Sequence, residues 1–461
     1  MADAESPNSE EASGRTGFST RAGYAASDVA GQLVFAFVSF YLLYFYTDVY
    51  GLSAAAAGTI LLVARCIDAV ETPLWGLVFD RTNSRWGKHR PWFLWLCGPF
   101  AVFGVLTFLT PELGGTAKVL YAAVTYILCS ALYTGINTPV TSILSALTPD
   151  SRERVTLTCY RMFGSKLGVL IVNLSALKLV EVLGQGDDRR GFMLTMPLFA
   201  AGSVALYLFA FRHLRETVPA TAAPSSVRGS FRALKGNWPW LIIFTSSLLF
   251  WIGFIARVSA APYFFEYALG RRDLIPFANA LDFVSLATVF LLPWFCRRTS
   301  KRNVWALGLL GMLMGQGIVA WGLQTGAVVG WVMTGWAIGF LASGVAMAMP
   351  FSLLSDSVDF GEWKSGVRAA GLLTAVGAAF CLKAGSGLGG AIPAWIMEAS
   401  GYVPNAPQSP GALRGIEFGV IWLPALCFAA SLGPVWFYQR FERLEPEIQA
   451  DLARRRDRRT I

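Results

Sequence analysis

Charged residues are scarce in this sequence. Only 15% of its 461 residues are Asp, Glu, Lys or Arg, whereas an ordinary soluble domain carries about 25%. A soluble chain of this length needs many more charges to cover its surface, so the composition nearly excludes one large soluble enzyme. It also excludes a disordered chain and a small disulfide scaffold.

Groups that serve catalysis are scarce as well. His89 and His213 are the only histidines, and both lie in polar segments outside the apolar blocks. No H-E-x-x-H, Walker or G-x-S-x-G motif occurs. The seven cysteines all lie in apolar segments without a C-x-x-C pair, which is typical of small buried side chains and not of a disulfide or zinc framework. We therefore expect neither an enzyme nor a resident metal or cofactor.

Long apolar blocks make up most of the chain. A helix needs about 20 apolar residues to cross the hydrocarbon core, and twelve blocks are long enough. They do not alternate like the strands of a membrane barrel, so the sequence predicts an all-α polytopic membrane protein with twelve transmembrane helices. The blocks span about 24–47, 54–79, 91–110, 118–147, 157–183, 191–211, 239–268, 274–296, 304–323, 327–354, 369–398 and 415–438.

Lys and Arg are distributed unevenly among the loops. If the N-terminus is cytoplasmic, about 26 basic residues lie on the cytoplasmic side and about 5 on the opposite side. Because basic loops stay in the cytoplasm, we predict a multi-pass protein of the cell (inner) membrane with both termini cytoplasmic. The basic residues that give the net charge of +9 then set the topology and face lipid headgroups. They do not indicate nucleic-acid binding.

A polar segment at 212–238 separates two groups of six blocks. The predicted domains are a cytoplasmic N-terminal tail (1–23), a six-helix half (24–211), this linker, a second six-helix half (239–438) and a basic cytoplasmic tail (439–461). Both halves carry a basic loop after their second block. This arrangement is typical of the major facilitator fold.

The loop after block 2 contains an acid among its basic residues. Asp80 directly precedes Arg81 at the predicted helix end, and Arg85 and Lys88 follow. Topogenic charge alone would not require an acid at this place. We therefore favour a cytoplasmic latch, a charged contact between helix ends, over plain positive-inside charge.

Block 2 contains an unusual polar cluster, Arg65, Asp68, Glu71 and Thr72. At helical spacing the four residues fall within one arc of about 120°, although each charge costs roughly 2.5–3.5 kcal/mol at a bilayer centre. Two acids, a hydroxyl and the carbonyls that Pro73 frees are hard oxygen ligands, suited to a small cation or a proton. The alternative is a structural pair of the arginine with one acid. We favour the cation site, because one arginine cannot neutralise both acids.

Further polar residues interrupt other blocks. Asp28 and Gln32 lie one helical turn apart in block 1 and can present one polar face. Lys383 lies among glycines in the middle of block 11, where it cannot easily reach the interface, so we expect it to act as a counter-charge to the acids of block 2. Asp282 in block 8 is either a structural partner or a member of this charge network.

Several short motifs occur in order along the chain. They are YTDV at 46–49, DAVETP at 68–73, RWGKHRPW at 85–92, the segment 150–161, DFGEWK at 359–364 and GYVPN at 401–405. In these motifs the sequence resembles the glycoside–pentoside–hexuronide:cation symporter family, typified by the melibiose carrier, over about residues 22–440. The resemblance implies alternating access that couples a sugar or glycoside to Na⁺, Li⁺ or H⁺.

The resemblance also implies a cation-coupling site. Asp68 matches the first acid of the family's cation pair, while Thr72 stands at the position of the second acid and Glu71 precedes it. Thr134 matches a threonine that assists the cation. Transient binding of Na⁺ at Asp68 and proton coupling are both open.

For the solute, the resemblance implies roles for Arg161 and Lys383. The two family aspartates that hold the sugar fall on Gln32 and Asn137, and amide groups accept hydrogen bonds less strongly than carboxylates do. Asp28 can take over part of that role. The alternative, which follows from the two missing carboxylates, is a carrier of lysolipids or other amphiphiles, or a receptor on the same scaffold. The motif at 359–364 adds Asp359 and Glu362 to the predicted cytoplasmic latch.

Overall fold

The computed structural model describes residues 16–80, 82, 84–148, 151–216, 236–325, 328–366, 373, 377 and 380–457. All regular elements in this part of the chain are helices. Its residues group into two compact units, one of residues 1–56 and 67–222 and one of residues 57–66 and 223–461.

The first unit is built around α1, which is the most deeply buried of its helices. Of the apolar window of this helix, 83% is buried, against 33–44% in the other candidate spans of the unit. Its helices are α1 (Phe18–Tyr44, continued by a π-helical turn at Phe45–Val49), α2 (Ala54–Asp80, of which residues 57–66 group with the second unit), α3 (Arg90–Thr107), α4 (Gly115–Ser142), α5 (Leu144–Leu147), α6 (Ser151–Gly184) and α7 (Asp188–His213).

A close approach between α1 and α6 depends on glycine. A Cβ atom at Gly164 would lie 2.3 Å from the carbonyl oxygen of Ala25, and one at Gly168 would lie 2.7 Å from the Cβ of Gln32. Only residues without a side chain permit this spacing. The polar residues of α1 and α6 are thereby brought within hydrogen-bonding distance of each other.

The second unit begins with α8 and ends with an amphipathic helix. Its elements are α8 (Trp238–Tyr263, continued by a π-helical turn at Phe264–Ala268), a 3₁₀ turn (Arg272–Leu274), α9 (Ile275–Ala280), a 3₁₀ turn (Leu281–Val284), α10 (Ser285–Arg298), α11 (Lys301–Gly322), α12 (Val328–Ser365), α13 (Cys381–Ala399), α14 (Pro410–Glu417), a π-helical turn (Phe418–Trp422), α15 (Leu423–Phe437) and α16 (Gln439–Asp457).

Within the described residues, each of the twelve predicted blocks overlaps helical segments, and the predicted all-α polytopic fold is confirmed. Within the described residues, nine helices are long and apolar enough to cross a membrane. Helix α2 falls outside this count because it contains the three charges at residues 65, 68 and 71. Block 8 differs from the prediction in one respect, since a 3₁₀ turn at Leu281–Val284 divides it into α9 and α10 instead of leaving one continuous helix.

Candidate functional site

The carboxylate of Asp68 is buried in the first unit. Asp68 is 1% exposed, and the hydroxyl of Ser130 on α4 donates a hydrogen bond to its Oδ2 at 2.8 Å. Thr134, also buried, lies one helical turn beyond Ser130 on the same face of α4. The structure therefore places the predicted acid on α2 and the predicted threonine on α4 beside the same serine.

Ser130 was not predicted from the sequence. A serine in an apolar helix usually bonds to the carbonyl one turn earlier, and nothing in its local sequence marks it out. Its position four residues before Thr134 was the only available signal.

The other members of the predicted cation site are less fully described. Glu71 is half-buried on α2, while the side chain of Thr72 lies outside the described residues. Arg65 belongs to the segment of α2 that groups with the second unit. There a Cβ atom added to Gly387 on α13 would lie 2.9 Å from the Cβ of Arg65. Gly387 lies one helical turn from the half-buried Lys383.

Asp28 and Arg161 form an ion pair between α1 and α6. The guanidinium Nε of Arg161 donates to Oδ2 of Asp28, and the two side chains are 24% and 8% exposed, respectively. One turn along both helices, the amide of Gln32 donates to the hydroxyl of Ser165 at 3.1 Å. The two predicted solute-binding residues on α1 are thus both held by partners on α6.

An aromatic contact joins this polar face of α1 to α4. The rings of Phe35 and Tyr133 stack with centroids 4.2 Å apart. Tyr133 precedes Thr134, and Asn137, the predicted amide contact to the solute, is half-buried one turn further along α4. The predicted cation residues and solute residues of the first unit therefore lie on helices that pack directly against each other.

The loop that contains the predicted latch residues contacts an acid that the sequence did not reveal. The carboxylate of Glu216, which follows α7, accepts hydrogen bonds from the backbone amides of Lys88, His89 and Arg90 at 3.0, 2.6 and 3.0 Å. Gly87 has a φ of +103° and lets the carboxylate approach, since a Cβ there would lie 2.6 Å from it. Of the predicted latch residues, Arg85 stacks on Trp86, the side chain of Asp80 lies outside the described part, and so does Arg81.

A second polar contact joins the start of α1 to the start of α6. Nε of Arg21 donates to Oε1 of Glu153 at 3.0 Å, and the hydroxyl of Thr16 donates to the same oxygen. Burial raises the pKa of Glu153, but the hydrogen bonds from Thr16 and Arg21 outweigh burial and hold the pKa below its ordinary value of 4.5.

In the second unit, α16 contacts the ends of α11 and α12. Nζ of Lys301 lies 2.8 Å from Oδ2 of Asp356 and 2.7 Å from Oε1 of Glu445. The predicted latch residue Asp359 accepts a hydrogen bond from Gln449 at 2.9 Å. Glu362 is half-buried on α12. The ion pairs of Lys301 are a further contact that sequence reasoning missed, since their members are far apart in the chain.

The described part of the second unit contains two charged side chains that are buried inside its helical segments. Asp282 is 6% exposed within the 3₁₀ turn of the divided block. Arg257 on α8 is fully buried, stacks 4.2 Å from the ring centroid of Trp336 and donates to the carbonyl of the same residue at 3.0 Å. Stacking on aromatic rings compensates part of the cost of burying this cation.

Comparison with known proteins places the whole chain among transporters. The chain matches the family described as MFS/sugar transport protein over residues 23–440. It is 39% identical to the isoprimeverose transporter of Lactiplantibacillus pentosus, over 94% of this chain and 91% of that protein. It is 32% identical to the putative glycoside/cation symporter YagG of Escherichia coli, over 94% of each chain. The crystal structure of a D-xylose-proton symporter shares the fold with a TM-score of 0.64 at 14% identity, covering 91% of this chain and 97% of that chain.

Proposed function

Because the chain belongs to the MFS/sugar transport protein family, as one of its glycoside–pentoside–hexuronide:cation symporters, we propose that it imports a glycoside together with Na⁺ or H⁺. The protein is a multi-pass membrane transporter and not an enzyme. We further propose that it works in the inner membrane with both termini in the cytoplasm, as its loop charges predict. Isoprimeverose is the first solute to test, because the transporter named for it shares 39% of its residues with this chain.

One observation carries the coupling part of this proposal, the burial of Asp68 beside Ser130. A carboxylate that is 1% exposed within an apolar helix is held out of water at a free-energy cost that a bound cation would offset. The hydroxyl of Ser130 donates to it at 2.8 Å, while Thr134 on α4 and the half-buried Glu71 on α2 carry further oxygen atoms. Such hard oxygen ligands suit a small cation that arrives with the solute.

The solute site is proposed around the ion pair of Asp28 and Arg161. Their charged groups, together with the amides of Gln32 and Asn137, offer both donors and acceptors to sugar hydroxyls. In this proposal Asp28 replaces the carboxylates that the family places at residues 32 and 137. For the second unit by itself, we propose Lys383 as a solute contact, with Arg65 and Asp282 as members of a supporting charge network.

The proposal is tested by uptake of radiolabelled isoprimeverose into vesicles that contain the purified protein. Gradients of Na⁺ and of H⁺ are imposed separately and then collapsed. We expect accumulation against the solute gradient with at least one of the two ions. Uptake that is unaffected by the collapse of both gradients would exclude coupled symport.

The role of Asp68 is tested by Asp68→Asn in the same vesicles. We expect this variant to lose gradient-driven accumulation while it retains solute exchange. Ser175→Ala serves as control, because Ser175 is half-buried, lies away from the predicted site residues in sequence and bonds to a carbonyl of its own helix. Normal accumulation by Asp68→Asn would show that another residue couples ion to solute.

A further inference from the structure

A groove of about 870 Å³ opens in the second unit where α8, α15 and α16 meet. Trp238, Leu241 and Ile242 form one wall, and Phe437 and Leu444 form the other. Residues 238, 241, 242 and 245 follow one face of α8 at helical spacing. The volume lies within the range of small-molecule sites, roughly 300–1,000 Å³.

The walls of this groove are apolar and open to the outside of the protein. Leu241 is 57% exposed and Phe437 is 54% exposed, while the adjacent Trp436 is 69% exposed. In a membrane transporter, exposed apolar side chains contact lipid, and tryptophans concentrate at the membrane–water interface. The groove therefore lies at the level where acyl chains meet headgroups.

The rim of the groove carries a cation with no ion pair among the described residues. Arg440, on the first turn of α16, lines the groove and is exposed. Neighbouring cations are engaged, since Lys301 pairs with Asp356 and Glu445, and Arg302 donates to Gln439. Arg440 alone of these faces the apolar groove.

We propose that this groove binds one anionic phospholipid of the leaflet beside α16, which is cytoplasmic in the proposed orientation. An acyl chain lies between α8 and α15, and the phosphate contacts the guanidinium of Arg440. Lipid chains are as apolar as the groove walls, so the chain gains little by leaving the bilayer. Selectivity therefore comes from the charge-assisted contact between the arginine and a phosphate whose headgroup carries no compensating cation.

Two substitutions test the charge at the rim and the space inside the groove separately. Arg440→Gln removes the charge at the rim. Gly433→Leu fills the groove, because a Cβ at Gly433, which lines it, meets no atom within 4 Å. The matched controls are Arg443→Gln, an exposed arginine that does not line the groove, and Gly317→Leu, an equally open glycine on α11.

The experiment titrates the purified full-length protein with phosphatidylglycerol or with phosphatidylcholine of the same chains and counts retained lipids by native mass spectrometry. We expect one phosphatidylglycerol bound about fivefold more tightly than phosphatidylcholine, the effect of one arginine near the phosphate. Arg440→Gln should lose this preference, Gly433→Leu should lose the bound lipid, and both controls should behave like the wild type.

Three results would overturn the proposal. They are retention of the preference in Arg440→Gln, an equal loss in Arg443→Gln, which would indicate surface charge alone, and unchanged binding in Gly433→Leu. Thermal unfolding of each variant checks that it is folded. If one variant does not fold, the other decides, because charge and shape are tested separately.

Discussion

The ion pair of Asp28 and Arg161 allows a quantitative test of the first unit. Asp28→Asn removes the negative charge and leaves the Arg161 guanidinium in a site where its side chain is only 24% exposed. Breaking a buried pair by removing one partner costs about 3–5 kcal/mol. Because Arg161 retains some exposure, we expect the lower end of this range, about 3 kcal/mol of the free energy of unfolding.

A double-mutant cycle separates the pair from its surroundings. Arg161→Gln should cost a similar amount, but the double variant should cost less than the sum by about 1–3 kcal/mol, as expected for residues in contact. The control cycle uses Arg271 and Asp273, an exposed pair at 2.8 Å with side chains 46% and 62% exposed. Exposed pairs contribute about 0.2–1 kcal/mol.

The assay is denaturant unfolding of the purified protein in mixed micelles, followed by tryptophan fluorescence. Solute binding is measured on the same four proteins by isothermal titration calorimetry. Additive costs, within about 0.5 kcal/mol, would refute an energetically coupled pair. Loss of stability with unchanged solute affinity would instead make the pair purely structural and remove it from the solute site.

Three further predictions concern other contacts of the first unit. Ser130→Ala should raise the cation concentration for half-maximal uptake by about tenfold or more, because it removes a group that orients a ligand carboxylate. Uptake into vesicles at increasing cation concentration measures this change. Gly164→Leu should prevent folding, since a Cβ there already meets the Ala25 carbonyl oxygen at 2.3 Å, whereas Gly98→Leu faces open space and should melt like the wild type. The lowered pKa of Glu153 adds stability that is present above its ordinary, unfolded value of 4.5 and is lost as pH falls through the lower folded value. The wild type should therefore lose melting temperature more steeply than Glu153→Gln below about pH 4.5.

The fold could be predicted from the sequence because the membrane leaves few alternatives. Each backbone polar group must be satisfied inside the bilayer, so an apolar block of sufficient length becomes a helix. The division of the block at 274–296 could not be foreseen in this way, because its apolar composition is compatible with either α or 3₁₀ hydrogen bonding. Helix α2 shows the opposite case, since its charges lower its hydropathy although it forms 27 residues of helix.

The candidate site could be predicted only one residue at a time. Asp28, Arg161 and Asp68 were identifiable because a charge inside an apolar block is costly and needs a reason. Their pairing depends on which helix faces pack together, and Gly164 sets that for α1 and α6. Glu216 escaped prediction for another reason. An acid in a polar segment is ordinary, and only the positive φ of Gly87 and the amides at the start of α3 make it an anchor.

The two polar contacts of the first unit lie on a shared set of helices, which has a consequence for coupling. Asp68 and Ser130 join α2 to α4, while Asp28 and Arg161 join α1 to α6. The stack of Phe35 on Tyr133 joins α1 to α4 at a centroid distance of 4.2 Å. Neutralising Asp68 on α2 weakens the hydrogen bond that it accepts from Ser130 on α4. A shift of α4 would also move Tyr133, whose ring packs on Phe35 of α1. In the proposed function, coupling of ion to solute within this unit therefore needs no direct contact between the two, only that both bias the packing of the same helices.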